Sequence, residues 1–168
     1  MEPHPLNYDR CKLVYTCREL LDNGITLLKE DMETIDVNSL GEFDAIFFCG
    51  TVYHCTYPWE VLKRYAEMTS LILVESKAAL PNEVNDRHKD YEFKKFFEDF
   101  GDPLHRVYPG DVRVPTRFTL YKMIYDAGFN WVQQLMPIQG LTRQYQTERA
   151  VAFIGTKVVS TGVLVDKE

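Results

Sequence analysis

Residues 43–60 have the sequence FDAIFFCGTVYHCTYPWE and carry the clearest signal of the fold class. Its first part, Phe43–Cys49, has consecutive apolar residues without polar alternation, which is typical of a strand covered on both faces of a sheet. Gly50 allows a sharp turn after that strand, and Pro58 stands where helices commonly begin. The stretch therefore predicts a buried strand, a short loop and the first turn of a helix.

The following segments continue this alternation. Apolar residues recur at helical spacing from Val61 to Met68, and the run LILV, Leu71–Val74, predicts a second strand buried on both faces. The order strand, helix, strand is typical of a parallel sheet with crossover helices. The predicted fold class is therefore α/β.

The C-terminal half carries a further helix and two strands. Thr116 is predicted to cap a helix over Arg117–Asp126, which ends at Gly128. The sequence GFNWVQQL then begins a strand, and Ala150–Gly155 forms the last one. The two strands are close enough in sequence to form an antiparallel pair.

Three other segments have a recognisable pattern. Apolar residues at three- and four-residue steps predict an amphipathic helix over Tyr8–Leu21, and Ile25–Leu28 is a short apolar run. The aromatic stretch Tyr91–Phe100 suggests a short helix over the sheet edge. Its rings either cover the core or line a ligand pocket.

Composition narrows the class of protein. The chain has 168 residues, 45% hydrophobic and 26% charged, which favours one globular domain over residues 1–168. No apolar run reaches the roughly 20 residues that cross a bilayer, and the N-terminus lacks signal-peptide features, so we expect a cytoplasmic protein with no membrane partner. The formal charge of −6 disfavours general electrostatic binding of nucleic acid, although it leaves a local basic patch open. Four cysteines without a CxxC pair indicate reduced thiols.

The ordered motifs resemble the class I S-adenosylmethionine-dependent methyltransferase superfamily. The resemblance extends from Glu2 to about Lys157. It is carried by the strand FDAIFFCG, the VYH turn, the proline-initiated helix, the strand LILVES, the segment VPTRFTLYKMIYDAGFNWVQQL and the closing strand TERAVAFIGTK. It implies a Rossmann-like three-layer α/β sheet, mostly parallel with an antiparallel C-terminal strand, and S-adenosylmethionine as the cofactor. The family sheet has the strand order 3-2-1-4-5-7-6.

One part of the family pattern has no counterpart. The chain has no GxGxG motif, whose glycines bring backbone amides close to the cofactor in that family. Glu2 matches the acidic residue that ends the family's second strand. We therefore expect an N-terminally truncated methyltransferase domain that lacks the first βα unit. The edge of Phe43–Cys49 would then be exposed, and either Ile25–Leu28 or a second copy of the chain would pair with it.

Five residues are candidate cofactor ligands. By the resemblance, Glu2 accepts hydrogen bonds from the ribose hydroxyls, Asp31 accepts one from the adenine amino group, and the Met32 amide binds a ring nitrogen. Cys49 and Gly50 end a strand at the carboxyl edge of the sheet, where open α/β sheets bind ligands. The alternatives are a terminal residue without a role, a solvated acidic loop and a glycine that only permits a turn.

Tyr53 and His54 are the candidate catalytic residues, because they lie just beyond that edge, where a transferred methyl group and its acceptor would meet. Histidine is the commonest general base in enzymes. The alternative is loop packing, since methyl transfer is helped mainly by proximity and orientation. A metal site built from Cys49, His54 and Cys55 is not expected, because adjacent His and Cys side chains point apart and a fourth ligand is missing. A cysteine nucleophile is conceivable, but most apolar-flanked cysteines are buried hydrophobes.

The predicted function is S-adenosylmethionine-dependent transfer of a methyl group to a small-molecule or otherwise unidentified acceptor, impaired by the loss of the Gly-rich loop. The competing hypothesis is a non-catalytic methyltransferase-like binding or assembly module, completed by homo-oligomerisation through the exposed sheet edge. Binding of the cofactor separates the two hypotheses.

Overall fold

The structure is a computed structural model and describes residues 26, 28–98, 110–135 and 149–158. Its helices and strands alternate as the apolar runs and turn residues predict for most of the chain. In chain order they are β1 (Ile46–Cys49), α1 (Pro58–Ala66), β2 (Leu71–Lys77), β3 (Asp86–His88), β4 (Tyr91–Glu98), β5 (Gly110–Pro115), α2 (Arg117–Asp126), β6 (Trp131–Leu135) and β7 (Ala150–Thr156).

The larger sheet has the strand order β1-β2-β7-β6. Strand β1 pairs with β2 in parallel, with Ile46 opposite Ile72, and β7 runs antiparallel to both of its neighbours. This confirms the mostly parallel sheet with an antiparallel C-terminal strand. The order also agrees with the last four strands of the family sheet, 4-5-7-6, that the resemblance implies.

Both described helices begin where the sequence predicts, and α2 also ends at the predicted residue, whereas α1 ends at Ala66, two residues before Met68. Pro58 occupies the first turn of α1. At α2, the Thr116 hydroxyl accepts a hydrogen bond from the Thr119 amide at 3.1 Å, which is the expected N-terminal cap. Gly128 follows with φ of 105°, a conformation that glycine adopts without strain. No helix in the described part of the chain is long and apolar enough to cross a membrane.

The two helices pack on the same face of the larger sheet. Phe48 and Phe153 are both cross-strand partners of Val74, so their side chains share that face. The ring of Phe48 contacts Tyr65 of α1 edge to face at 5.3 Å, and Phe153 contacts Tyr121 of α2 at 6.1 Å. Burial of each large apolar side chain in this layer contributes about 1.5–3 kcal/mol.

The opposite face is open within the described residues, which corrects one expectation. Phe47 is 65% exposed, and Leu71 and Leu73 of β2 are half-buried, so neither predicted strand is buried on both faces here. The physical reason is that no described helix covers this face. The predicted helix Tyr8–Leu21 lies outside the described residues.

The short apolar run Ile25–Leu28 is described only in part. Ile25 and Leu27 lie outside the described residues, and Thr26 and Leu28 belong to no strand or helix. The pairing of this run with β1 therefore stays a prediction.

A second, three-stranded antiparallel sheet has the order β3-β4-β5. The helix expected over Tyr91–Phe100 is wrong for the described residues, because Tyr91–Glu98 forms the central strand β4, while Phe100 lies outside them. Strand β4 gains backbone partners on both sides, and its aromatic residues favour strands as well. Phe93 is fully buried and Phe97 is 64% exposed, so only part of the aromatic set covers the core.

The small sheet is joined to the carboxyl end of β2. The Ala79 amide donates to the Pro115 carbonyl at 2.8 Å, and the Thr116 amide donates to the Glu92 carbonyl at 3.1 Å. In return, the Glu92 amide donates to the Thr119 hydroxyl at 2.8 Å. The first bond holds β5 beside the edge of the larger sheet where ligands bind in open α/β folds, and the other two hold β4 against the start of α2.

Candidate functional site

The carboxyl ends of the parallel strands and the first residue of β7 meet at one edge of the larger sheet. Cys49 lies opposite Glu75, and Lys77 lies opposite Ala150. Gly50 then turns the chain with φ of 70°, and its amide donates to the Glu75 carbonyl at 3.1 Å. The predicted residues Cys49 and Gly50 therefore lie at the edge that the sequence assigns to them.

The loop after Gly50 presents the two candidate catalytic side chains. It contains a 3₁₀ turn, Val52–His54, which is anchored by the fully buried Val52. The rings of Tyr53 and His54 lie with centroids 4.1 Å apart and a tilt of 41°. Among the described residues, Thr51 has a buried hydroxyl that takes part in no hydrogen bond. An unsatisfied buried hydroxyl costs about 1–3 kcal/mol, so Thr51 Oγ1 is a ready partner for a bound polar group.

Asp31 and Met32 belong to a turn that packs against the same loop. One Asp31 carboxylate oxygen accepts from the Glu33 amide at 2.8 Å. The Met32 sulfur lies 3.7 Å from the Cys55 sulfur, while Glu33 Oε1 accepts from the Thr56 amide at 2.8 Å. The structure thus places the 31–33 turn beside the loop that follows β1.

Helix α1 holds this turn in place through Arg64. The guanidinium of Arg64 donates to the Glu33 carbonyl at 2.6 Å and also to the Ile35 carbonyl. Sequence reasoning missed Glu33 and Arg64 as positioning residues. Their partners are 23 and 31 residues away in the chain, and no local pattern signals such a pair.

Strand β5 supports the other side of the loop. Arg113 pairs with Asp86 at 2.6 Å and donates to the Thr56 carbonyl. Its guanidinium lies over the ring of Trp59, which stacks on His88 with centroids 4.2 Å apart. The loop is therefore fixed between the 31–33 turn and the small sheet.

The thiols at this edge are poorly suited to nucleophilic catalysis. Cys49 is an exposed residue, but partial burial of its thiol and, after it, the charge of Glu75 raise the pKa of that thiol above its ordinary value. Cys55 is buried. A raised pKa disfavours the reactive thiolate. Within the described ranges, no group of three or more His, Cys, Asp or Glu side chains is arranged to hold a metal ion.

A cavity of about 250 Å³ opens beside Lys77 at this edge. Its lining combines cations, one carboxylate and apolar groups: Lys77, Ala78, Ala79, Glu83, Lys94, Phe96, Val114 and Arg149. Glu83 accepts from Lys94 and from Arg149, each at 3.0 Å. The Leu80 amide and then these two cations lower the pKa of Glu83 to about 2, so it is ionised at neutral pH.

Lys77 connects this cavity to the loop, because its ammonium lies 4.8 Å from the centroid of the Tyr53 ring. Sequence reasoning missed the cavity residues. The only local signal was the position of Lys77, directly after LILVES at a strand end. Of the residues it did predict, Glu2 lies outside the described residues. Asp31 and Met32 belong to the 31–33 turn, Cys49 ends β1, and Gly50, Tyr53 and His54 follow β1 at this edge.

Comparison with solved structures identifies the fold. The N-terminal domain of EvdMO1, solved with SAH bound, matches with a TM-score of 0.72 and 24% identity, over 89% of this chain and 60% of that one. The chain has the class I methyltransferase fold. A second structure of the same EvdMO1 domain, in the presence of SAH and D-fucose, matches with the same TM-score and identity over 89% of this chain and 61% of that one. EvdMO1 itself matches with a TM-score of 0.59 and 20% identity, over 89% of this chain and 29% of that one.

The chain spans about 60% of the length of the EvdMO1 domain. No family model and no curated protein matches the sequence. The class I methyltransferase fold therefore rests on the strand order and on this structural likeness. In such a fold, the edge that carries Gly50 and the 31–33 turn is the ligand-binding edge.

Proposed function

We propose that this chain takes part in S-adenosylmethionine-dependent methyl transfer. The observation that supports it is the packing of two short segments, the 31–33 turn and the loop after Gly50, at the carboxyl edge of a class I methyltransferase sheet. The turn contains Asp31 and Met32, and the loop directly follows Cys49 and Gly50. The family resemblance assigns these four residues to the cofactor. SAH is bound by the EvdMO1 domain that shares this fold.

The residues at this edge fit the chemistry of the cofactor. Asp31 would accept from the adenine amino group, the Met32 amide would bind a ring nitrogen, and Cys49 and Gly50 would let the ligand approach the backbone. The buried Thr51 hydroxyl, which has no hydrogen-bond partner in the described part of the chain, would satisfy a polar atom of the bound cofactor. Glu2 completes the proposed set through the ribose hydroxyls.

The chain's own contribution to the reaction is to orient the acceptor and to remove its proton. When bound, S-adenosylmethionine supplies an electrophilic methyl group. Tyr53 orients the acceptor, and His54 accepts its proton as the methyl group is transferred. Because both side chains belong to the fixed 3₁₀ turn, little ordering is needed at the moment of reaction.

Direct binding tests this proposal. SAH is titrated calorimetrically into the full chain, and the melting temperature is measured with and without it. At 100 times its dissociation constant, a ligand of the folded state adds about 2.7 kcal/mol to the free energy of unfolding. We expect binding and a raised melting temperature. Absence of both at millimolar SAH contradicts the proposal.

Once a screen has supplied an acceptor, His54→Gln tests the proton-transfer role. We expect kcat to fall by about 100-fold or more. Tyr53→Phe, which keeps the ring, is the matched control and should retain more of the activity. An unchanged kcat in His54→Gln would show that His54 only packs within the loop and does not transfer a proton.

A second candidate function is an assembly module that forms through the edge of β1. Phe43 is 46% exposed and Phe47 65% exposed, and within the described residues β1 pairs only with β2. In this case a second copy of the chain supplies the missing neighbour. Light scattering would then show a dimer that Phe47→Lys converts to a monomer, whereas a monomeric wild-type chain excludes this function.

A further inference from the structure

We propose that the cavity beside Lys77 binds the anionic end of the methyl acceptor, a carboxylate or phosphate group carried on a small apolar body. This inference rests on the proposed function, because it assigns the acceptor side of the same edge. It goes further in naming the chemical class of the acceptor.

Charge is the first argument. Lys77, Lys94 and Arg149 face the cavity with a single carboxylate, Glu83, so the lining carries a formal excess of two positive charges. The chain as a whole carries −6. A local positive cavity on an acidic protein selects anions, since the surrounding negative charge repels them elsewhere.

Two of the three cations that line the cavity already pair with the Glu83 carboxylate, so Lys77 is the lining cation that a ligand would meet. Both Lys94 and Arg149 pair with the Glu83 carboxylate at 3.0 Å. Within the described ranges, no carboxylate forms an ion pair with Lys77. The Lys77 ammonium lies over Tyr53 with donors for an incoming anion, while the arginine and lysine around Glu83 reinforce the positive potential.

The apolar residues of the lining indicate that the rest of the ligand is apolar and small. Phe96 is 37% exposed although it is a large aromatic residue, and it faces the cavity together with Val114. The small side chains of Ala78 and Ala79 leave the space open beside them. A volume of about 250 Å³ is slightly below the usual range for drug-sized ligands, so the cavity suits a small acceptor or one end of a longer one.

The position of the cavity connects it to the chemistry. Lys77 lies two residues beyond Glu75, the cross-strand partner of Cys49, so it projects past the edge where the proposed cofactor site begins. Its contact with Tyr53 sets the anionic group beside the candidate catalytic loop. An acceptor held by Lys77 would therefore extend its nucleophile towards Tyr53 and His54.

The test uses three probes of similar shape: benzoate, phenyl phosphate and the neutral benzamide. Each is titrated into the full chain and followed by amide chemical-shift changes at Ala78, Ala79 and Val114. We expect benzoate or phenyl phosphate to shift these amides, and the tighter of the two identifies the anionic group. Benzamide should bind at least tenfold more weakly than that anion.

Two substitutions complete the test. Lys77→Gln should weaken binding of the anion by about tenfold or more. Lys95→Gln, on strand β4 beside Lys94 but outside the cavity lining, should leave it unchanged. The inference is overturned if benzamide binds as tightly as the anions, or if Lys77→Gln binds the anion as tightly as the wild-type chain does. It is also overturned if these amides show no chemical-shift change.

SAH binding to the wild-type chain and to both variants is measured in parallel and separates the two proposals. If the wild-type chain binds SAH but neither anion, the methyl-transfer proposal stands and the acceptor assignment fails. If the anions bind and SAH does not, the cavity is an anion site without a methyltransferase role, and the assignment to a methyl acceptor fails with the proposed function.

Discussion

The ammonium of Lys77 lies 4.8 Å from the centre of the Tyr53 ring. This contact joins the end of β2 to the loop that follows β1. It places a positive charge and an aromatic face at one spot on the carboxyl edge. Both proposals depend on this edge.

Glu33→Ala is expected to destabilise the fold and to weaken SAH binding. The Glu33 carboxylate accepts from the Thr56 and Tyr57 amides at 2.8 and 3.2 Å, and loss of a charged hydrogen-bond acceptor costs about 1–3 kcal/mol. Urea denaturation measures the loss, and calorimetry measures the affinity. Glu30→Ala, on the exposed part of the same segment, should change neither. Equal effects of both substitutions would contradict the role of Glu33.

Gly50→Ala is expected to lose both stability and cofactor binding. Gly50 has φ of 70°, where a side chain costs roughly 1–2 kcal/mol, although the added Cβ would meet only Glu75 Oε2 at an ordinary 3.8 Å. Gly41→Ala is the matched control, since Gly41 has φ of 79° and open space around it.

The two glycine variants should lose similar stability in urea denaturation, but only Gly50→Ala should bind SAH more weakly. If both variants retained the wild-type affinity for SAH, Gly50 would serve only as a turn residue.

Thr119→Val is expected to destabilise the fold, because it removes a hydrogen bond between the small sheet and α2. The fully buried Thr119 hydroxyl accepts from the Glu92 amide at 2.8 Å and lies 3.0 Å from the Thr116 hydroxyl. Valine keeps the volume and removes the acceptor, at a cost of about 1–3 kcal/mol in the free energy of unfolding. Thr119→Ser keeps the hydroxyl and should cost less. A valine variant as stable as the serine variant would show that the bond is dispensable.

Stability should depend on the ionisation of Glu83 at acidic pH. Its pKa is lowered from an ordinary 4.5 to about 2, so the ionised form stabilises the folded state. The contribution is therefore complete above about pH 4.5 and is lost as the pH falls towards 2. Urea denaturation from pH 7 to 3 should show a wild-type advantage over Glu83→Gln that is constant above pH 4.5 and shrinks below it. An advantage that grows on acidification would contradict the sign.

The order and position of most elements followed from local signals. Pro58 and Thr116 mark helix starts because one lacks an amide hydrogen and the other offers a capping hydroxyl, and both effects act within one turn. The apolar runs around Phe48 and Val74 predicted neighbouring parallel strands, and the family resemblance supplied the antiparallel β7. These features depend on residues that are close in sequence or on an ordered set of motifs.

The features that sequence reasoning missed depend on distant partners. Tyr91–Glu98 has aromatic spacing compatible with a helix, and it becomes a strand because β5 pairs with it from beyond residue 109. Arg64 holds the turn at Glu33, and Arg149 meets Glu83 across 66 residues. Such contacts exist only after the chain has folded, so no local window contains them.

Photochemical cross-linking locates the cofactor site on the chain. Tritium-labelled S-adenosylmethionine is irradiated with ultraviolet light in the presence of the full chain, the chain is digested, and the labelled peptides are sequenced, with excess unlabelled SAH as competitor. We expect label within residues 31–33 and 49–54 that SAH removes. Label confined to other described segments, such as the exposed face around Phe47, or label that SAH does not displace, would contradict this expectation.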